Sequence, residues 1–300
     1  MDSKSLKNLK PGRLLGSLVP ILIRNKYRVD RKIGEGGFEL ARLTSAGVDI
    51  ASDEEVAIKL MENRDGSTVL KDEAEMYKQL QGKTGFPRVY WSGSDVCYDV
   101  LVFELLGPSL ADLFEYCEQK FTLKTLLLIS EQAITMIECT HMHYLHRDIK
   151  PENFLISTGQ QGNIIYAIDF GLAREFSEEE ESKGYQGLAF EGTHRYASIN
   201  CHDGLEPSWR DELESLGYVL LYFARGYLPW QGLKSGTRGE KNMLIRDKKA
   251  SLSGVELCEG FLPKEFAEFI DYTRSLKFGE RPNYGHLRKK FPLSSRGVPI

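Results

Sequence analysis

The sequence predicts an α+β protein of two lobes, a small β-rich lobe with one main helix and a larger α-helical lobe. Two patterns and one junction predict it. Between residues 27 and 106, the stretches "KYRVDRKIG", "EEVAIKLM" and "DVLVFELL" show the alternation or the short apolar runs of strands. From 108 to 295, long stretches place apolar residues at helical spacing. Gly107 and Pro108 fall at the junction, a pair suited to a hinge. The expected boundaries are an N-terminal extension over 1–26, the β-rich lobe over 27–106, the helical lobe over 107–295 and a tail over 296–300.

Within the first lobe, "STVLKDEAEMYKQLQG" separates the second and third strand runs. Val69, Ala74, Met76, Tyr77 and Leu80 can line one face of a helix there, and Gly82 suits its C-cap. In the second lobe, "SLADLFEYCEQ" begins at a Pro-Ser cap. "LKTLLLISEQAITMIECTHMHYLH" and "RDELESLGYVLLYFARG" are apolar enough to be buried helices, and "PKEFAEFIDYTRSL" starts at a proline as helices often do. "IIYAI" reads as a short strand, and no internal repeat is present.

Composition narrows the function classes. At 41% hydrophobic and 27% charged, the 300 residues are ordinary for a soluble globular protein with a sizeable core. A net charge of -4 gives no basic field that would draw in nucleic acid, so any polyanion site must be local. Cys97, Cys117, Cys139, Cys201 and Cys258 are scattered without a C-x-x-C, which argues against a disulfide framework and a zinc site and fits a reducing compartment. No secretory signal is evident, and a cytoplasmic or nuclear location is expected. "LLGSLVPILI" is apolar but short and broken by Pro20, whereas a membrane helix needs about 20 apolar residues. It is expected to pack on the domain, with no stable membrane insertion.

Four motifs carry chemistry. "IGEGGFELARL" approaches the glycine-rich G-x-G-x-x-G-x-V loop that covers ATP phosphates, with Gly34 and Gly36 in place but Glu39 at the third glycine and Ala41 at the valine. "VAIK" puts Lys59 on the strand that follows, and Glu73, mid-helix, is its natural partner. "HRDIKPENF" matches H-R-D-x-x-x-x-N, with Asp148 to take or orient a hydroxyl proton, Lys150 to neutralise a transferring phosphoryl group and Asn153 to hold magnesium. "IDFGLAR" supplies Asp169 as the main magnesium ligand. His146 reads as a packed structural histidine. His141, His143 and His146 of "HMHYLH" do not share a helical face, so they make a poor metal site.

Together with "ELLGPSLADLF", "KFTLKTLLL", "GTHRYASIN", "LESLGYVLLYF" and "LPWQGLK", these motifs make residues 27 to about 292 resemble the casein kinase I family of protein kinases. "YASIN" is the most specific block, since it replaces the A-P-E motif of most kinases. The resemblance implies the two-lobed eukaryotic protein kinase fold, a monomer, ATP with Mg2+, and transfer to Ser/Thr of acidic or phospho-primed protein substrates. It implies nucleotide contacts at Ile33, Gly34, Glu35, Gly36, Gly37, Phe38, Ala41 and Ile168. It also implies adenine hydrogen bonds to the backbone of Glu104 and Leu106, a gatekeeper at Phe103, and an adenine sandwich of Ala57 and Leu155. A substrate anion pocket is implied at Arg147, Arg174, Arg195 and Lys234, where guanidinium forks suit phosphate.

Departures from the family pattern are Glu39, Ala41 and Glu212. A carboxylate near triphosphate is repulsive by about 1 kcal/mol at 4 Å in water, so Glu39 is expected to weaken nucleotide affinity without abolishing catalysis. Glu212 replaces an aspartate that normally anchors the catalytic-loop backbone, and the neighbouring Asp211 is the rival for that duty. "SEEEES", Ser177 to Ser182, is either a solvated loop or an acidic mimic that occupies the arginine pocket. Two rival functions stand beside the kinase reading. One is a pseudokinase-like binding or scaffold module, against which the intact Lys59, Asp148, Asn153 and Asp169 argue. The other is a small-molecule phosphotransferase, against which "GTHRYASIN" argues.

Overall fold

A computed structural model describes residues 21–35, 42–63, 68–95, 97–158, 162–176, 187 and 190–291. The chain divides into two compact units, Met1–Gly107 and Pro108–Ile300.

The first unit is built on one antiparallel sheet. Its strands are β1 (Ile21–Ile23), β2 (Tyr27–Glu35), β3 (Arg42–Asp49), β4 (Glu54–Glu62), β5 (Val89–Asp95) and β6 (Tyr98–Glu104), in the order β1-β2-β3-β4-β6-β5. The sheet starts inside the stretch read as an extension over 1–26. Ile21 and Ile23 are buried with Leu22 exposed between them, and this period-2 pattern pairs β1 with β2. Val56, Ile58 and Leu60 of β4 pack with Val100 and Val102 of β6 and with Tyr27 and Val29. Each fully buried apolar side chain of this size contributes about 1.5–3 kcal/mol. Helix α1 (Val69–Leu80) buries Leu70, Glu73, Ala74, Met76, Tyr77 and Leu80. Leu70 takes the inward place expected of Val69, and Gly82, at φ +83°, follows the helix in the left-handed region.

The second unit is mostly helical. Its helices are α2 (Leu110–Tyr116), α3 (Leu123–Thr140), α4 (Ile199–His202), α5 (Trp209–Arg225), α6 (Arg238–Ala250), α7 (Gly254–Cys258), α8 (Lys264–Ser275) and α9 (Tyr284–Lys289). The Ser109 hydroxyl accepts from the Asp112 N–H, and the Asp112 carboxylate accepts from the Ser109 N–H, which fixes the start of α2. Helix α5 is buried along nearly its whole length and ends at Gly226, φ +81°. Its Gly217 lets α8 approach, because a Cβ there would lie 3.0 Å from Ile270 Cγ1. Two small ribbons complete the unit, β7 (Tyr144–Leu145) with β10 (Arg174–Glu175), and β8 (Phe154–Ile156) with β9 (Ile165–Ala167). Among the described residues no helix is long and apolar enough to cross a membrane.

Candidate active site

In the first unit, the alternation of β4 turns Lys59 toward α1, where its ammonium meets both oxygens of Glu73 at 2.8 Å. Both residues are buried, so the two charges are held by each other in a low-dielectric setting. Ala57 and Phe103 are direct partners across β4 and β6 and are also buried. Phe103 stacks on Tyr77 of α1, with ring centroids 5.9 Å apart. The N–H of Glu104 donates to the Arg88 carbonyl at 2.9 Å and is therefore not open to a ligand. Ile33 and Gly34 lie on β2, Ile33 exposed and Gly34 opposite Thr44. Glu35 ends that strand. Gly36, Gly37, Phe38, Glu39 and Ala41 lie outside the described residues, as does Ser177 to Ser182.

In the second unit, the short hairpin of β8 and β9 does the assembling. Its register pairs Phe154 with Ala167, which brings Asn153 and Ile168 together at one end, and the Ile168 N–H donates to the Asn153 carbonyl at 2.9 Å. Asp169, the next residue, has φ +66°. An aspartate held there stores about 1–3 kcal/mol of strain, of the kind found where a side chain must be aimed. Asn153 Nδ2 donates to the Asp148 carbonyl at 2.9 Å and thereby ties the hairpin to the loop before it. His146 bonds the Ile168 carbonyl through Nε2 at 2.9 Å and packs on Phe170, as a structural histidine. No cluster of three or more metal-binding side chains involves the "HMHYLH" histidines or any other of the described residues.

The Asp148 carboxylate is held from both sides. Its Oδ2 pairs closely with the Lys150 ammonium and lies 3.4 Å from Asn153 Nδ2. Its Oδ1 accepts the Thr193 hydroxyl at 2.8 Å. Thr193 lies in "GTHRYASIN", quoted above only as a family block, so its individual role went unread. Gly192 precedes it at φ +110°, and a Cβ there would stand 2.9 Å from the Arg147 carbonyl.

Glu212, not Asp211, anchors the loop backbone. Its Oε1 accepts the Arg147 N–H at 2.7 Å and its Oε2 meets His141 Nε2 at 2.7 Å, while the other ring nitrogen of His141 bonds the Tyr284 hydroxyl. Asp211 is occupied elsewhere, accepting the Ser208 N–H, the Ser198 hydroxyl and the Asn200 amide. Burial pushes the Glu212 carboxyl up, but the bonds from His141 and the Arg147 N–H outweigh it and hold it below the ordinary carboxylate range.

The three arginines of the expected anion pocket have separate local partners. Arg147 pairs with Glu191 at 2.9 Å and Arg174 with the buried Glu206 at 3.2 Å. Arg195, an exposed residue, has its guanidinium over the Tyr196 ring and its carbonyl accepting from Trp230 Nε1 at 2.7 Å. Lys234 is exposed. Neither Glu191 nor Glu206 was singled out from the sequence, since a lone glutamate in a loop carries no pattern.

A family model described as protein kinase domain matches residues 27–289.

Proposed function

This chain belongs to the protein kinase domain family, and from that premise we propose that it is a serine/threonine kinase of casein kinase I type. It would transfer the γ-phosphoryl group of ATP to Ser/Thr of acidic or phospho-primed proteins. The observation that carries the reading is the Asp148 carboxylate, aimed by Lys150 on one oxygen and by Thr193 on the other. A carboxylate so held can accept the proton of an incoming hydroxyl, and a lysine beside it can offset charge on a phosphoryl group in flight. The two contacts supply orientation, from which much of the rate of phosphoryl transfer comes.

The residues fit a nucleotide and magnesium. Asn153 and Asp169 offer the oxygen donors that Mg2+ takes, and the ion, when bound, would neutralise phosphate charge. Lys59, fixed by Glu73, suits phosphate oxygens. Ile33, Gly34, Glu35, Ala57, Phe103, Leu106, Leu155, Ile168 and the Glu104 carbonyl are the further nucleotide contacts of this proposal. Arg195 and Lys234, with Arg147 and Arg174, are its substrate-anion residues.

The test is radiolabel transfer from ATP to paired acidic peptides, one phosphorylated three residues upstream of the target and one not, with Asp148→Asn as control. Transfer to Ser/Thr that Asp148→Asn removes supports the reading. Magnesium-dependent nucleotide binding without transfer would make the chain a binding module instead.

A further inference from the structure

Residues 193–198 form no regular ladder, yet they are tightly held, and the group that holds them is a buried lysine from another helix. Lys249, near the end of α6, has 0% exposure. Its Nζ donates to the His194 carbonyl at 2.8 Å and to the Ala197 carbonyl at 2.6 Å, and it lies 3.1 Å from His202 Nε2, which itself stands 3.3 Å from the His194 carbonyl. The ammonium also lies 5.0 Å from the Tyr218 ring centroid and 5.1 Å from that of Trp230. The ammonium thus meets two buried carbonyls, with a histidine and two aromatic faces beside it. Backbone carbonyls outside helices and strands need donors when buried, and Lys249 supplies two of them at once. His194 follows Thr193, whose hydroxyl sits on Asp148.

We propose that Lys249 is a positioning residue for the acceptor peptide, fixing the His194–Ala197 backbone so that Thr193 and Asp148 keep their alignment. This rests on the kinase reading of the site. Lys249 touches neither Asp148 nor any residue assigned to nucleotide, so its loss acts on peptide rather than on ATP.

The pinning is proton-dependent, because an ammonium donates to the two carbonyls more strongly than a neutral amine does. Burial pushes the Lys249 ammonium down to about 7; Glu214 and Cys201 act against that, and Arg274 adds to it. Around it stand His194, Cys201 and His202, Glu214 and Tyr218 from α5, and Arg274 from α8. Burial holds His194 down to about 4 and His202 to about 3, so both rings are neutral beside the ammonium. Burial pushes Cys201 up to about 12 and holds Tyr218 well above its ordinary 10. Burial also raises Glu214 above its ordinary 4.5. The folded-state value of Lys249 lies below its ordinary 10.5, so the folded protein sheds this proton as pH rises through about 7, and the two carbonyl bonds lose their charge assistance with it.

The experiment compares the wild-type chain with Lys249→Gln and Lys249→Met. For each, KM for an acidic acceptor peptide and KM for ATP are measured from pH 6 to 8.5, and hydrogen exchange is followed across residues 193–202. Expected are a rise in peptide KM of about tenfold in Lys249→Gln, an ATP KM within about twofold, and faster exchange of the segment. In the wild type, peptide KM climbs with pH while ATP KM stays level, and Lys249→Gln flattens the climb. Equal movement of both KM values, unchanged exchange in a folded variant, or a pH climb that survives in Lys249→Gln would each overturn the proposal. If Lys249→Met does not fold, Lys249→Gln and the wild-type pH series still decide. If the wild type transfers no phosphate at all, the kinase reading fails, and hydrogen exchange alone judges the pinning.

Discussion

Glu212 Oε1 accepts the backbone N–H of Arg147 at 2.7 Å, and Arg147 stands at φ +67°. A buried carboxylate is therefore what holds a left-handed residue immediately before Asp148. Removing it leaves the Arg147 N–H and His141 without their acceptor and frees the strained residue to relax. Glu212→Ala is expected to lose about 3–5 kcal/mol of stability, as for breaking a buried pair, and to lower kcat for phosphate transfer. Urea unfolding read beside kcat checks this. A variant as stable and as active as the parent would remove Glu212 from the role.

The same carboxyl gives the chain an acid limb. Its folded-state value lies below its ordinary 4.5, so its contribution is fully present above that value. The contribution is lost as pH falls through the depressed folded value. Unfolding free energy followed downward from pH 7 is expected to drop more steeply below about 4.5 in the parent than in Glu212→Gln. Parallel curves for the two would show that another group sets the limb.

Lys59 and Glu73 are both buried, and breaking such a pair on one side costs more than replacing both partners. Lys59→Met alone is expected to destabilise the chain by about 3–5 kcal/mol, whereas Lys59→Met with Glu73→Leu should recover most of that. Neither protein should transfer phosphate. Thermal melts with a transfer assay on the same preparations test both statements. A double variant that regains transfer would show that the pair is structural only.

Much of the fold was legible because its signals are local. The β-branched runs of β4 and β6, the Ser109 cap and the apolar spacing of α5 all state themselves within a few residues. The motif residues were legible for the same reason, as Asp148, Lys150 and Asn153 sit within one loop. Side-chain traffic between distant segments left no such trace. Thr193 reaches back to Asp148 and Lys249 reaches across to His194, and neither spacing has a period. The choice between Glu212 and Asp211 was open in sequence because both are acidic and adjacent. Helix geometry decides it, since Asp211 faces Ser208 and Ser198 while Glu212, about 100° further round the helix, faces Arg147. Strand β1 was missed because three residues are too few for alternation to register against Pro20.

Arg195 differs from the other two arginines of the proposed anion pocket. Arg147 and Arg174 each have a carboxylate partner, whereas among the described residues Arg195, an exposed residue bonded to Tyr196, has no ion pair. An incoming phosphate would meet Arg195 without displacing a paired carboxylate. Arg195→Ala is therefore expected to reduce kcat/KM for a primed peptide by about tenfold more than for its unprimed twin, the effect of one charge-assisted bond. Equal losses on the two peptides would take Arg195 out of the pocket.

Gly192 is the position at which the smallest change should do the most. Its φ of +110° lies where side chains rarely go, and a Cβ would come within 2.9 Å of the Arg147 carbonyl, a backbone atom that cannot swing aside. The same Cβ would lie 3.6 Å from Asp148 Oδ1, so the displacement it forces falls on the Thr193–Asp148 bond. Gly192→Ala is expected to cost about 1–3 kcal/mol in stability from backbone strain and to lower kcat more than the KM for ATP. Thr193→Val, which keeps the shape but deletes the hydroxyl, should reproduce the kcat loss with little change in stability. Melting temperature and steady-state constants for both variants separate the two effects. A normal kcat in Thr193→Val would show that Asp148 is aimed by Lys150 and Asn153 without help from the 190s segment.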